Sequence, residues 1–304
     1  AVRRGQVPVV VGTRSAMFAP VARLGLLAVW DDGDDSHADP RAPYPHVRDV
    51  LVLRAHAAGA ALLVAGFART AEAQLLVDSG WASEVVADRP TVRAAMPRVV
   101  PMAEPGRAGT PDEPGARVQV TAFEAARAAV TAGRPVLVQV PRAGYLPWLS
   151  CGACREGARC RHCAGPLALV GRPDTGSEEA AGLPQCRWCG RTEGGYRCRA
   201  CGSRRLRAGV IGSRRTAEEL GRAFPGTPVR TSGGGAPVLA DVPAGPALVV
   251  ATPGAEPRVE GGYGAALLLD GWALLSRPDL RVAEETLRRW LAAAAMVVPH
   301  GEGG

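Results

Sequence analysis

Cys151-Gly-Ala-Cys154, Cys160-Arg-His-Cys163, Cys186-Arg-Trp-Cys189 and Cys198-Arg-Ala-Cys201 hold all eight cysteines of the chain inside one segment. A two-residue spacer lets two thiolates on a tight turn face one point. Two such turns complete the tetrahedron of sulfurs that Zn²⁺ takes, at about 2.3 Å each. Four turns therefore make two closed sites, and spacing leaves open which turn pairs with which. A disulfide framework is the competing explanation, and it requires an oxidising compartment and usually a short secreted chain. The sequence shows no export leader and no apolar run long enough to span a bilayer. The residues thus favour zinc, with iron second because a Cys₄ cage also suits it. With four sulfurs on each ion no position is open for a catalytic water, so the expected role is structural.

Outside this segment, composition sets limits. At 304 residues the chain has room for two domains, and 47% hydrophobic with 21% charged residues is ordinary for a soluble protein. The formal charge of +7 overstates any affinity for phosphates, since eight thiolates holding two dications would lower it by four. Lys and Asn are absent and Ile occurs only at Ile211, whereas Ala, Gly, Pro and Arg abound. Part of the Arg excess is then genomic bias and weak evidence for nucleic-acid binding. The missing Lys also removes the residue that a phosphate-cradling loop of the Walker type needs.

Strands and helices alternate along the chain. Val7–Val11 reads as a buried parallel strand, and a chain that opens in mid-fold without Met reads as a fragment. Leu26–Trp30 and Ala61–Ala65 are two further strands, with helices expected over His46–Ala58 and Thr70–Val77. The Pro- and Gly-rich stretch Pro97–Pro114 reads as a linker. Beyond it come helix Thr121–Ala132, stopped by Gly133, and strand Val136–Val140; the cysteine segment follows, with Gly171–Gly182 as a loop between its halves. Helix Thr216–Phe224, strands Ala247–Ala251 and Ala265–Leu269, and a helix from Asp279 to Ala295 complete the chain. In that helix Leu280, Ala283, Leu287 and Leu291 share one face, which reads as core.

This alternation is α/β with parallel sheets. Ligands of such sheets lie beyond the carboxyl ends of the strands, here Thr13, Asp31, Gly66, Thr252 and Asp270. The acidic run Asp31, Asp32, Asp34 and Asp35 offers hard oxygens to Mg²⁺, although a solvated acidic loop is the favoured explanation. No paired acid and base and no free cysteine nucleophile stand out, so no catalytic or cofactor-binding residue is assigned.

Several stretches together resemble the replication-restart helicases of the PriA family, also called primosomal protein N′. They are Gly12-Thr-Arg-Ser-Ala-Met-Phe-Ala-Pro20, Tyr44-Pro-His-Val-Arg-Asp49, Arg142-Ala-Gly-Tyr145, the four cysteine pairs ending in Cys201-Gly-Ser203, and Arg277-Pro-Asp-Leu-Arg-Val-Ala-Glu284. The resemblance runs collinearly through nearly the whole chain. It implies parts of two RecA-like helicase lobes with a two-zinc insertion: residues 1–96 from lobe 1, a linker over 97–115, the start of lobe 2 at 116–147, the insertion at 148–207 and the rest of lobe 2 at 208–304. It implies nested pairing, with Cys151, Cys154, Cys198 and Cys201 on one zinc and Cys160, Cys163, Cys186 and Cys189 on the other.

Three departures fall on the motor. Where active members read Val-Asp-Glu-Glu-His, this chain has Val29-Trp-Asp-Asp-Gly33. The Ser-Ala-Thr-Pro element is replaced by Ala65-Gly-Phe-Ala-Arg69, and the final Gln and Gly-Arg-Ala-Gly-Arg by Leu291-Ala-Ala-Ala-Ala-Met296. The pattern is that of actinobacterial PriA with eroded helicase motifs. It implies a DNA-binding scaffold for stalled or abandoned forks without helicase activity, with ATP binding in doubt.

The partners implied are forked and single-stranded DNA, primosome proteins, the replicative helicase and its loader, and single-stranded DNA-binding protein. Membranes are not among them, and the implied location is cytoplasmic, on the nucleoid. An active 3′-to-5′ helicase and a zinc-dependent protein-interaction module are the alternatives. Tyr145, Trp148, Trp188 and Tyr196, with Arg155, Arg159, Arg161, Arg187, Arg197 and Arg199, decorate the insertion. They suit stacking on bases and contact with phosphates. They suit equally a module whose arginines solvate negative sulfurs and whose aromatics form its core.

Overall fold

The computed structural model describes residues 1–39, 41, 43–101, 118–141, 149–154, 156–169, 183–208, 213–275 and 279–304, which form two compact units, Ala1–Ala87 and Asp88–Gly304. Most of the expected linker, the expected loop Gly171–Gly182, Arg142–Tyr145, Trp148 and Arg155 lie outside the described residues.

In the first unit, β1 (Leu26–Trp30), α1 (Val47–Ala58), β2 (Ala61–Ala65) and α2 (Ala71–Asp78) follow the expected order. β1 and β2 pair in parallel from Leu26 opposite Ala61 to Trp30 opposite Ala65. Alternation along β1 turns Leu27 and Val29 inward, where they pack with Met17, Val47, Leu51 and Ala55 of α1 and the preceding turn. Gly59 ends α1 in the left-handed conformation, φ 59°, its N–H bonded to the Ala55 carbonyl. The Val7–Val11 stretch is not a strand: no described strand pairs with it, and Val9 and Val11 stand 70% and 92% exposed. An apolar run without a period does not say which neighbour it needs, and among the described residues none covers Val9 or Val11. Thr13 is therefore not at the end of a strand.

The second unit opens with α3 (Arg89–Ala95), α4 (Val120–Thr131) and β3 (Val136–Gln139). Four short strands come next, β4 (Leu149–Cys151), β5 (Leu167–Leu169), β6 (Pro184–Cys186) and β7 (Leu206–Ala208), and then α5 (Ser213–Ala223). β8 (Val229–Ser232), β9 (Asp241–Val242), β10 (Leu248–Ala251), β11 (Arg258–Val259), β12 (Ala265–Leu268), α6 (Gly271–Leu275) and α7 (Val282–Ala294) complete it.

A four-stranded parallel sheet, in the order β12-β3-β10-β8, forms its centre. Val136, Val138, Leu248 and Val250 point to one side and pack with Ala126 of α4 and Leu220 of α5. Leu137, Val249 and Ala251 point to the other and pack with Tyr263, Ala293 and Val297. Strands buried on both faces read as continuous apolar runs, which is why β3 and β10 were legible. The cysteine segment leaves the chain after β3 and returns before α5, as an insertion into this parallel layer.

The last helix differs from its expected packing. Leu280 and Leu287 are exposed, whereas Thr286, Arg288, Ala293 and Ala294 are buried. Arg288 enters the interior because Glu285 takes both Nε and Nη2, at 2.7 and 3.0 Å. A paired guanidinium can be buried where an unpaired one cannot, so the leucine stripe does not mark the core side.

Candidate metal centres

Two antiparallel ladders build the sites. β4 pairs with β7, placing Cys151 opposite Leu206 and bringing the first and last cysteine turns together. β5 pairs with β6, placing Leu167 opposite Cys186 and doing the same for the middle turns. In the outer group Cys151 and Cys201 sulfurs lie 3.5 Å apart, as do those of Cys154 and Cys198. In the inner group the Cys160–Cys189 and Cys163–Cys186 separations are 3.8 and 3.3 Å. Within each quartet all four sulfurs lie within 4.8 Å of one another. Sulfurs about 2.3 Å from a tetrahedral ion stand about 3.8 Å apart, whereas a disulfide requires about 2.05 Å. The arrangement fits a cation at each centre.

The turns share one backbone design. The residue after the second cysteine is left-handed in three of them: Ala164 at φ 58°, Gly190 at 72° and Gly202 at 72°. Its N–H returns to the carbonyl of the first cysteine at 3.0, 3.0 and 2.9 Å respectively. Backbone N–H groups of the turns also point at sulfur, from Ala153 to Cys151, His162 to Cys160 and Gly165 to Cys163, each at 3.4 Å. At Cys151 burial pushes the thiol up, but N–H groups and neighbouring sulfurs outweigh it and bring it to about 6. Cys160 falls to about 7 by the same balance. Cys154 is held down by the Glu156 N–H, yet burial and the crowded sulfurs push it up to about 12; burial and its neighbours do the same to Cys186. Four thiolates this close cannot all ionise without a cation between them.

Around the quartets, Leu149, Ala158, Leu167 and Tyr196 form a small core with the cysteines. Glu193, only 4% exposed, accepts from Arg161 Nε at 3.2 Å, with Nη2 2.8 Å away. Burial raises the Glu193 carboxyl, and Arg161 more than offsets it, leaving it below the ordinary range. Glu193 carries no signal of this role in the sequence. Ala164 has a signal, since it occupies the offset that Gly190 and Gly202 fill in the other turns.

The acidic run behaves otherwise. Asp32 is buried, and its Oδ2 accepts from Arg48 Nη1 and Thr70 Oγ1, each at 2.7 Å. Asp34 accepts from the Ser36 N–H at 2.9 Å. Among the described residues no acidic group converges as a metal site. Asp31 takes φ 54° and donates its N–H to Ala65 at 2.7 Å, closing the β1–β2 edge beside Gly66. Thr252 is fully buried and Asp270 is left-handed at φ 53°. Trp30 stands edge-on to Phe67 at 5.3 Å. Ala293 and Ala294, in the stretch that replaces the final arginines, are buried, Ala293 among Leu137, Val249 and Tyr263.

Fold and site together define a class: a parallel α/β protein interrupted by a cysteine-rich insertion with two Cys₄ centres. No family model matches the chain. It is 59% identical over 303 residues to the "Probable replication restart protein PriA" of Mycobacterium tuberculosis (strain ATCC 25618 / H37Rv), covering 99% of this chain and 45% of that protein. It is 58% identical over 305 residues to the protein so named in Mycobacterium leprae, and 24% identical over 164 residues to the "Replication restart protein PriA" of Bacillus subtilis. The resemblance to PriA is thus shown across nearly the whole chain, which spans about half the length of its mycobacterial relatives.

Proposed function

We propose that this chain is part of a replication-restart protein that binds stalled or abandoned forks, promotes primosome assembly and reloads the replicative helicase without unwinding DNA itself. The identity to mycobacterial PriA over 99% of the chain carries the reading. The eight cysteines hold two zinc ions in the nested pairing, and the ions are structural because each is closed by four sulfurs. Residues 1–96 and 116–147 with 208–304 are assigned to two helicase-like lobes joined by the linker 97–115, α3 at the end of the first packing with the second compact unit, and 148–207 is the zinc insertion. The partners are forked DNA, primosome proteins, the helicase and its loader, and single-stranded DNA-binding protein, in the cytoplasm on the nucleoid.

The replaced side chains support the absence of a motor. Trp30, where active members carry Asp, offers no oxygen to Mg²⁺. Arg288 and Arg289 are both engaged by Glu285 rather than presented to a transferring phosphate.

Equilibrium binding of the complete protein to a three-way fork and to linear duplex of equal length tests the reading. Tighter binding to the fork is expected. Equal affinity for both, or none for either, overturns it.

A further inference from the structure

The decoration of the insertion has two explanations, solvation of negative sulfurs and contact with nucleic acid, and the side-chain geometry separates them. Among the described residues the nitrogen donors to sulfur are backbone N–H groups, and none is a guanidinium. The arginines instead gather about the turn Cys160–Cys163: Arg199 donates to the Cys160 carbonyl at 3.0 Å, Arg191 meets His162 Nδ1 at 2.9 Å, and Arg161 meets Glu193. Glu156 and Glu193 are the acids among the described residues of the insertion, and Glu193 is consumed by Arg161. The aromatics divide as well. Tyr196 is buried in the small core, whereas Trp188 is 56% exposed.

Trp188 is also seated. A Cβ on Gly165 would stand 2.8 Å from Trp188 Cγ and 2.9 Å from Cys186 Sγ, so the root of the indole rests against a backbone that tolerates no side chain. Arg187 adjoins Trp188 in the chain, and Arg191 and Arg199 reach the Cys160–Cys163 turn that Gly165 follows. A half-exposed ring held in place on turns that carry these guanidiniums is the equipment for stacking one unpaired base while phosphates lie against the cations. A duplex, whose bases are stacked on each other, offers the ring no face.

We infer that the inner cysteine turns form a single-strand platform, with Trp188 stacking a base and Arg187, Arg191 and Arg199 holding the flanking phosphates. This rests on the DNA-binding reading above and names the surface that serves it.

The test is fluorescence anisotropy of labelled oligo(dT) with the complete protein, purified with its metal, across a salt series. Trp188→Leu is expected to weaken binding about tenfold, the worth of one stacked base. Arg187→Ala with Arg191→Ala is expected to lower the log–log salt slope by about 1.4, for two phosphates on a single strand. Metal content and melting temperature identify a variant that fails to fold; should Trp188→Leu fail, the arginine pair carries the test. Unchanged affinity and slope in folded variants, while the wild type binds oligo(dT) and forks, would overturn the platform and leave the fork reading intact. Loss of both oligo(dT) and fork binding in the wild type would overturn both. Displacement of oligo(dT) by no more than stoichiometric polyglutamate, with the same variant sensitivity, would overturn it in favour of an acidic protein partner.

Discussion

The imidazole of His46 closes the first turn of α1, its Nδ1 accepting the Arg48 N–H at 3.1 Å. That contact requires a neutral ring. Burial, and after it the Arg48 guanidinium, holds the ring below its ordinary value of 6.5. A depressed base contributes stability in full above 6.5 and loses it as pH falls through the lower folded value. His46→Ala should therefore cost about 1 kcal/mol near pH 7.5 and flatten the dependence below pH 6.5, while His46→Asn should keep the cap and lose the dependence; urea denaturation across pH checks both. Ala164 makes a second prediction. It holds a left-handed conformation that its two counterparts fill with Gly, so Ala164→Gly should stabilise the insertion by about 1 kcal/mol, read as slower metal transfer to a chelator. The eight cysteines, the helix start at Thr70 and the Gly133 stop, left-handed at φ 75°, were all legible, because each residue type announces its own geometry. Asp32 was not: in the acidic run it reads as a solvated carboxylate or a Mg²⁺ ligand, until Arg48 and Thr70, 16 and 38 positions away, are seen to bury and take it.

Elements were legible where burial imposes a period or a run. β1 and β2 occupy the stretches expected of them, and β3 and β10 end within a residue of theirs. β8 went unseen because it is an edge strand reading Val229-Arg-Thr-Ser232, half polar and needing one neighbour only. α7 misleads in the opposite way, since its leucines form a stripe that faces outward while a paired arginine and two alanines face in. Leu287→Ala should then change stability by no more than about 0.5 kcal/mol. Ala293→Leu, pressing on Tyr263 and Val249, should cost about 1–3 kcal/mol. Equilibrium unfolding of the two variants distinguishes the stripe from the core.

For the molecule as a whole, the insertion and the sheet into which it is set have separate cores: the cluster around the cysteines shares no residue with the clusters on either side of the four-stranded sheet. Removing metal should raise amide exchange through 149–208 while β3 and β10 stay protected, a pattern that mass-resolved exchange with and without chelator reads directly. The proposed absence of a motor also belongs to this scale, because three stretches differ together from those of active members rather than at any single substitution. The measurement that bears on it most directly is ATP hydrolysis by the complete protein, purified with its zinc, with and without a three-way forked DNA. The account predicts fork binding with no turnover above background in either sample. Turnover stimulated by the fork and abolished by Asp31→Asn would contradict it.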